Sequence, residues 1–415
     1  MSQVSLPLAS YRALDLTEDG ALLCGRMLAD LGADVVQIEP PQGNPTRNIG
    51  PFYQNGNLPD QSLFWFAYSS NKRSVTLNLE TEEGKALFKK LIQSSHFFLE
   101  SFSPGYLSRL GLDYQELKSI NPGLIMVSIT PFGQSGPFAQ YKGPDLVVMA
   151  LGGMMGLTGD PDRPPLQVGF PQALLGAAAS GAVGAMIAHY SWITTSLGQH
   201  VDASAQQSVV RSLSHAPQIW YLNQQILRRQ GTSRPQHGGH SERTVWPCKD
   251  GHISYTVSFR QASGQNMWAL IAWMDEDEMD TVYLKSIDWE QIDPNQIAPE
   301  TSEKIEQAIA PFFANHSKAE LWDGAVERRI LLYPLSSPQD LLNNPQLKSR
   351  RYFQSIPHPE LGVSLTYPGP AVQITEAYYG IRRRAPLLGE HNEDIYGDLG
   401  VSPGKLTELK TQGIV

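Results

Sequence analysis

Short runs of β-branched and aliphatic residues alternate with stretches of helical spacing through the first third of the chain, and this alternation restricts the fold more than any other feature. Arg12-Ala13-Leu14-Asp15-Leu16 predicts a strand, Ala21 to Leu31 predicts a helix stopped at Gly32, and Ala33 to Glu39 predicts a second strand ended by Pro40-Pro41. A strand, a helix and a strand with short joints form a βαβ unit, whose two strands run parallel. The pattern recurs, with strands expected at Ser74 to Leu79, His96 to Glu100 and Leu124 to Ile129, and helices at Glu82 to Gln93 and Tyr114 to Ile120. The expected fold class is therefore α/β, built on a large Rossmann-like open parallel sheet with ligand loops beyond its strand ends. No G-x-G-x-x-G opens the first helix, so the dinucleotide fingerprint is missing.

A chain of 415 residues exceeds what one hydrophobic core usually serves. The alternation breaks at Leu222 to Gly251, where Arg228-Arg229-Gln230-Gly231 and His237-Gly238-Gly239-His240 make a polar stretch. Helices are expected beyond it at Asn266 to Trp273 and Ser302 to His316, and the acidic run Asp275-Glu276-Asp277-Glu278 reads as a solvated loop. The expected organisation is residues 1–221 as the N-terminal part of the large domain and 222–335 as a smaller α+β domain with a Gly-rich loop. Residues 336–415 then form an extended return, marked by Pro345, Pro357, Pro359, Pro368 and Pro370, and complete the large domain. Leu174 to Ile193 approaches the length of a membrane span, but its Ala, Gly and Ser content and its closure by His189 and Tyr190 point to burial in protein. Ala177, Ser180, Gly181 and Gly184 would let another backbone approach it closely, in the core or from a second subunit.

A net charge of −9 argues against nucleic acid or an anionic membrane surface as the principal partner. Cys24 and Cys248 stand far apart without metal-ligand spacing, as expected of a reducing compartment. With no basic and apolar leader at the N-terminus, a cytoplasmic location is expected. His200, His237 and His240 lack the spacing and the acidic or thiolate companions of a zinc site, so no metal is expected. Asp160 and Asp162, between Gly159 and Pro164, read as turn residues.

Seven segments, taken in order, form one series. They are Leu28 to Val35 with Glu39-Pro40-Pro41 through Arg47; Asn71-Lys72-Arg73-Ser74 with Glu83-Gly84; and Glu100-Ser101-Phe102-Ser103-Pro104-Gly105 with Leu107, Arg109, Leu110 and Gly111. Ile129 to Pro137 with Lys142-Gly143-Pro144-Asp145, Gly152-Gly153 and Leu157-Thr158-Gly159 is the most specific block. Pro164 to Gly176, Gly198 to Ser204 and Leu388-Gly389-Glu390-His391 complete the series. Together these segments resemble CoA-transferase family III, the CaiB/BaiF type.

In this family an aspartate attacks the donor acyl-CoA to form a mixed anhydride, returning CoA thiolate gives an aspartyl thioester, and the acceptor acid takes the CoA. The resemblance places Leu174 at that aspartate's position, five residues after Gly169 and 29 after Asp145. A leucine has no lone pair with which to attack. The resemblance implies CoA and acyl-CoA as substrates, without a permanently bound cofactor. It assigns Phe102, Arg109 and Lys142 to adenine and phosphates, adds Arg47 and Lys72, and gives Asp19, Asp145, Gly238 and Gly239 to the substrate and oxyanion loops. Family subunits are ring-like and interlock in pairs. The expectation is thus a non-nucleophilic subunit whose homologous partner carries the aspartate, as in heteromeric members acting on succinyl-CoA and a benzylsuccinate-like acid in anaerobic toluene degradation. A CoA-binding scaffold without catalysis and a self-sufficient transferase with a displaced nucleophile, Asp19 or Asp160, are the alternatives. A CoA-ester racemase is disfavoured, because Pro144 occupies the position its histidine would need.

Overall fold

The computed structural model of the chain describes residues 6–56, 58–235, 241–257, 261–293 and 297–415. Strands β1 (Arg12–Leu16), β2 (Asp34–Glu39), β3 (Arg73–Thr76), β4 (Phe97–Glu100), β5 (Ile125–Thr130) and β6 (His200–Ser204) form one sheet in the order β3-β2-β1-β4-β5-β6. Every pair in it is parallel, with Leu14 opposite both Val36 and Phe98. This is the doubly wound order, whose direction of winding reverses between β1 and β4. All six residues of β5 are buried, as are all four of β4, which explains their near-continuous apolar runs.

Helices α1 (Leu22–Asp30), α2 (Leu63–Ser69), α3 (Glu82–Gln93), α4 (Tyr106–Arg109), α5 (Tyr114–Ile120), α6 (Asp145–Leu151) and α7 (Ala173–Thr195) accompany the sheet. Helix α3 shows how local chemistry sets an element. The Thr81 side chain caps the Gly84 amide, Glu82 and Glu83 occupy the first turn, and Lys90 stands in the last. Leu87, Phe88, Leu91 and Ile92 then fall on one face and join the core with Val36, Ile38 and Phe98.

Among the described residues α7 is the helix long and apolar enough to cross a membrane. It packs instead on the sheet. A Cβ added at Gly181 would meet Val127 at 3.2 Å, and one at Gly184 would meet Val201 at 2.6 Å, so the small residues permit the close approach that the sequence anticipates. The opposite face leaves Val183, Ile187, Tyr190 and Ile193 exposed.

Strand β3 is the outer edge of the sheet, and the C-terminal segment covers it. The amide of Ser74 donates to His391 Nδ1 at 3.2 Å, His391 N donates to Ser74 O at 2.9 Å, and Thr76 N donates to Asn392 Oδ1 at 2.9 Å. An edge capped in this way offers no free row of amides to another strand.

The chain divides into two compact units, one of residues 1–154, 167–224 and 345–415, the other of 155–166 and 225–344. The second unit holds the hairpin of β7 (Ser233–Pro235) and β8 (Ser241–Arg243) and an antiparallel sheet of β9 (Val245–Cys248), β10 (Gly251–Tyr255) and β11 (Leu332–Pro334). Helices Gln261–Glu276, Pro299–Asn315 and Lys318–Arg328 accompany it, around a core that includes Trp246, Met267, Phe312 and Phe313. The acidic run differs from the expected solvated loop. Asp275 and Glu276 are the last residues of a helix, Asp275 pairs with Lys285 at 2.6 Å, and Asp277 lies 2.9 Å from His316 Nε2. These side chains have partners brought close by helix packing, which the sequence run alone does not reveal.

Candidate active site

The loops that follow β1 and β4 diverge at the reversal point of the sheet, and a cavity of about 370 Å³ opens beside them. Two hydrogen bonds fix its floor. Glu18 N donates to Ser101 Oγ at 2.9 Å, and Phe102 N donates to the Glu100 carboxylate at 2.8 Å. Leu16, Ile38, Leu77 and Leu79 supply apolar wall, and the rings of Phe102 and Tyr106 stand 4.6 Å apart at 35°. Tyr106 OH donates to Glu80 Oε1 at 2.7 Å, which holds that carboxylate, and Glu18 lines the same cavity. Tyr106 is thus a wall of the cavity. Arg109 is exposed and lies 5.6 Å from the Tyr106 ring centroid, and Lys142 is exposed.

A second group of residues surrounds the start of α7. Asp145, in the first turn of α6, accepts from the amides of Gln172 and Ala173 at 2.8 Å each through one oxygen and from Gln167 Nε2 at 3.0 Å through the other. Its carboxylate therefore caps α7, where the free amides and the helix dipole favour a negative charge. Leu174 follows in the first turn, half-buried, and a Cβ placed on Gly20 would sit only 3.1 Å from Leu174 Cβ. Asp19, beside that glycine, has a φ of 52° and donates its amide to Thr46 Oγ1 at 2.7 Å. Burial pushes the Asp19 carboxyl above its ordinary range, and the charge of Asp145 adds to this against the Gly20 amide. Glu18 is raised as well, by burial and then by Asp19. The start of α7 thus gathers carboxylates around an aliphatic side chain.

Two cations expected at a ligand are committed to the interior. Lys72 is fully buried, and its ammonium donates to Asp15 at 2.8 Å, Leu22 O at 2.9 Å and Gln37 Oε1 at 3.0 Å, which uses all three of its hydrogens. Arg47 is buried too. It forms a two-pronged pair with Glu39 at 2.6 and 2.7 Å, reaches Asp60 at 2.6 Å, and lies 3.9 Å over the Trp65 ring. A charge removed from water needs such matched partners, so both residues, buried and paired, stabilise the β1–β3 end of the fold. Their buried partners Asp15 and Glu39, in alternating apolar strands, were the signal available in the sequence.

Glu100 is a further ionisable group that sequence reasoning leaves within a motif. Burial raises its pKa to about 7, against the hydrogen bonds of Ser128 and the Phe102 amide. Ser128 Oγ also contacts His200 Nε2 at 2.8 Å, and the Tyr114 ring stacks on His200 at 5.4 Å. His200 is accordingly a structural residue of the sheet, at the start of β6. Gly238 and Gly239, expected at the oxyanion loop, lie outside the described residues.

Comparison with known proteins supplies the wider context. The family model described as CoA-transferase family III matches residues 8–392. The chain is 33% identical over 413 residues to succinyl-CoA:(R)-benzylsuccinate CoA-transferase subunit BbsE of Thauera aromatica, covering 98% of this chain and 97% of that protein. It is 30% identical over 421 residues to succinyl-CoA–D-citramalate CoA-transferase of Chloroflexus aurantiacus, covering 99% and 98%. A CaiB/BaiF family protein from Brucella suis superposes with a TM-score of 0.81 at 25% identity, over 95% of this chain and 99% of that one. The chain belongs to CoA-transferase family III.

Proposed function

We propose that this member of CoA-transferase family III is the subunit of a two-chain CoA-transferase that does not supply the nucleophile. A homologous partner would carry the attacking carboxylate. The observation that carries this reading is the occupant of the first turn of α7: Leu174 stands there, with the adjoining amides already capped by Asp145. A carboxylate attacks a thioester because its oxygen lone pair can add to the carbonyl and expel CoA thiolate, leaving a mixed anhydride. No atom of the leucine side chain can do so. One relative named above is itself termed a subunit, and both relatives are named as succinyl-CoA enzymes, which supports succinyl-CoA as donor and a carboxylic acid of the benzylsuccinate kind as acceptor.

Asp19 and Asp145 remain beside Leu174, but their chemistry favours support over attack. Asp145 accepts three hydrogen bonds, and Asp19 is held toward its protonated, weakly nucleophilic form by burial. Phe102 at the cavity, with exposed Arg109 and Lys142, are the residues of this chain that can meet a nucleotide. Interlocking of two ring-like chains would bring a partner onto the exposed apolar face of α7, where Val183, Ile187 and Tyr190 lie.

The test is CoA transfer from succinyl-CoA to a panel of carboxylic acids, by the chain alone and co-expressed with a family paralogue, with hydroxylamine trapping of acyl-enzyme. Turnover and trapping should appear only in the complex, on the partner's aspartate, and Leu174→Ala should alter the complex's rate by no more than about threefold. Turnover by the purified chain alone, with the acyl group trapped on one of its own carboxylates, would overturn the proposal.

A further inference from the structure

We infer that Glu18 and Glu80 make the cavity at the sheet reversal selective by charge: it accepts the base and ribose of a nucleotide and disfavours added phosphate, so this chain is left without CoA while its partner is loaded. The consequence for loading rests on the two-chain reading above; the selectivity itself does not.

The position is where a doubly wound sheet binds nucleotides. The walls suit a flat heteroaromatic ring, with aliphatic side chains on one side and the tilted pair Phe102 and Tyr106 on the other. The charges do not suit a polyanion. Glu18, Glu39 and Glu80 line the cavity, and among its described lining residues there is neither lysine nor arginine. Glu39 is matched by the two-pronged bond from Arg47, which leaves Glu18 and Glu80 as the carboxylates facing a ligand. Glu80 cannot swing away freely, because Tyr106 OH holds one of its oxygens at 2.7 Å. Arg109, on the Tyr106 ring, is not part of the lining.

CoA carries a diphosphate and a ribose 3′-phosphate close to its adenine. Seating the base in the cavity brings phosphate oxygens toward Glu18, Glu80 or both. Like charges at that range cost about tenfold or more in affinity at low salt, and added salt screens much of it.

Isothermal titration of the purified full chain with adenosine, dephospho-CoA and CoA, at low and at high salt, measures this directly. Dephospho-CoA should bind about tenfold tighter than CoA at low salt, with the gap narrowing at high salt. The double variant Glu18→Gln/Glu80→Gln should close the gap, and Glu80→Lys should reverse the preference toward CoA. If the native chain binds adenosine but discriminates too strongly to bind either phosphorylated ligand, CoA binding gained by Glu80→Lys has the same meaning. Equal or tighter binding of CoA by the native chain overturns the inference, as does a gap unchanged in the double variant or an absence of binding in every form. An acyl intermediate trapped on this chain would instead sink the two-chain reading and leave the affinity ratio as measured.

Discussion

Two sets of carboxylates belong to the first three strands and the loops that follow them, and they stand in opposite electrostatic surroundings. Inside, Asp15 of β1 and Glu39 of β2 face Lys72 and Arg47 at 2.6 to 2.8 Å. At the ends, Glu18 after β1 and Glu80 after β3 line an open cavity whose described lining contains no cation. The difference shows that Lys72 and Arg47 serve the fold, while the exposed Arg109 and Lys142 lie outside the described lining of the cavity. A positively charged residue in a ligand-binding segment is thus no guide to the ligand until its burial is known.

The interior set offers the most severe way to break this contrast. Lys72→Met leaves Asp15 charged, buried and without its ammonium, and should lower unfolding free energy by about 3–5 kcal/mol in urea melts. Adding Asp15→Leu should restore most of it. A loss below about 1 kcal/mol from Lys72→Met alone would mean that the inner pair is no more demanding than a surface one.

Glu100, buried at the end of β4, sharpens the comparison, since hydrogen bonds from Ser128 and the Phe102 amide stand where the inner carboxylates have cations. Its pKa rises from 4.5 unfolded to about 7 folded. The folded state therefore holds the proton more tightly, and raising the pH from about 4.5 to about 7 removes stability, by about 3 kcal/mol in total. Below the lower value both states are protonated and nothing is lost. Glu100→Gln cannot titrate, so the difference in melting stability between native chain and variant should track that window; a pH-independent difference would show that burial does not hold the proton.

Lys405 sets the lower limit. Its ammonium is half-exposed and lies 3.0 Å from both Glu83 and Glu408. Lys405→Ala should leave the urea midpoint unchanged within error, at low and at high salt alike. A cost comparable to that of Lys72→Met would remove the distinction between inner and outer charges.

Much of the sheet was legible in the sequence, because strands buried on both faces must be apolar throughout. Asp34–Glu39 and Phe97–Glu100 lie within one residue of their expected limits, and α5 matches at both ends. The third strand stops at Thr76 rather than Leu79, since residues beyond it leave the sheet to line the cavity. The site was harder to read. The role of Asp145 depends on amides 27 and 28 residues away, and those of Lys72 and Arg47 on carboxylates contributed by other strands. Residue type and spacing carry no record of which side of a strand faces inward once polar residues occupy both. Leu174 is the contrary case: residue type and spacing alone do not mark it, the resemblance to family III does by setting it where the family's aspartate stands, and the structure places it in the first turn of α7.

The covering of β3 by His391 and Asn392 has a bearing on how the molecule is made. The ribosome releases the edge strand more than 300 residues before the segment that shields it. Arg47 and Trp65 wait as long for the carbonyl of Pro386. Throughout that interval the second unit's stretch from 225 to 344 is synthesised while the outer edge of β3 still lacks its cover. A truncated product ending before residue 386 would keep that edge permanently open, and strand-to-strand association between such products is the failure to which this topology is most exposed.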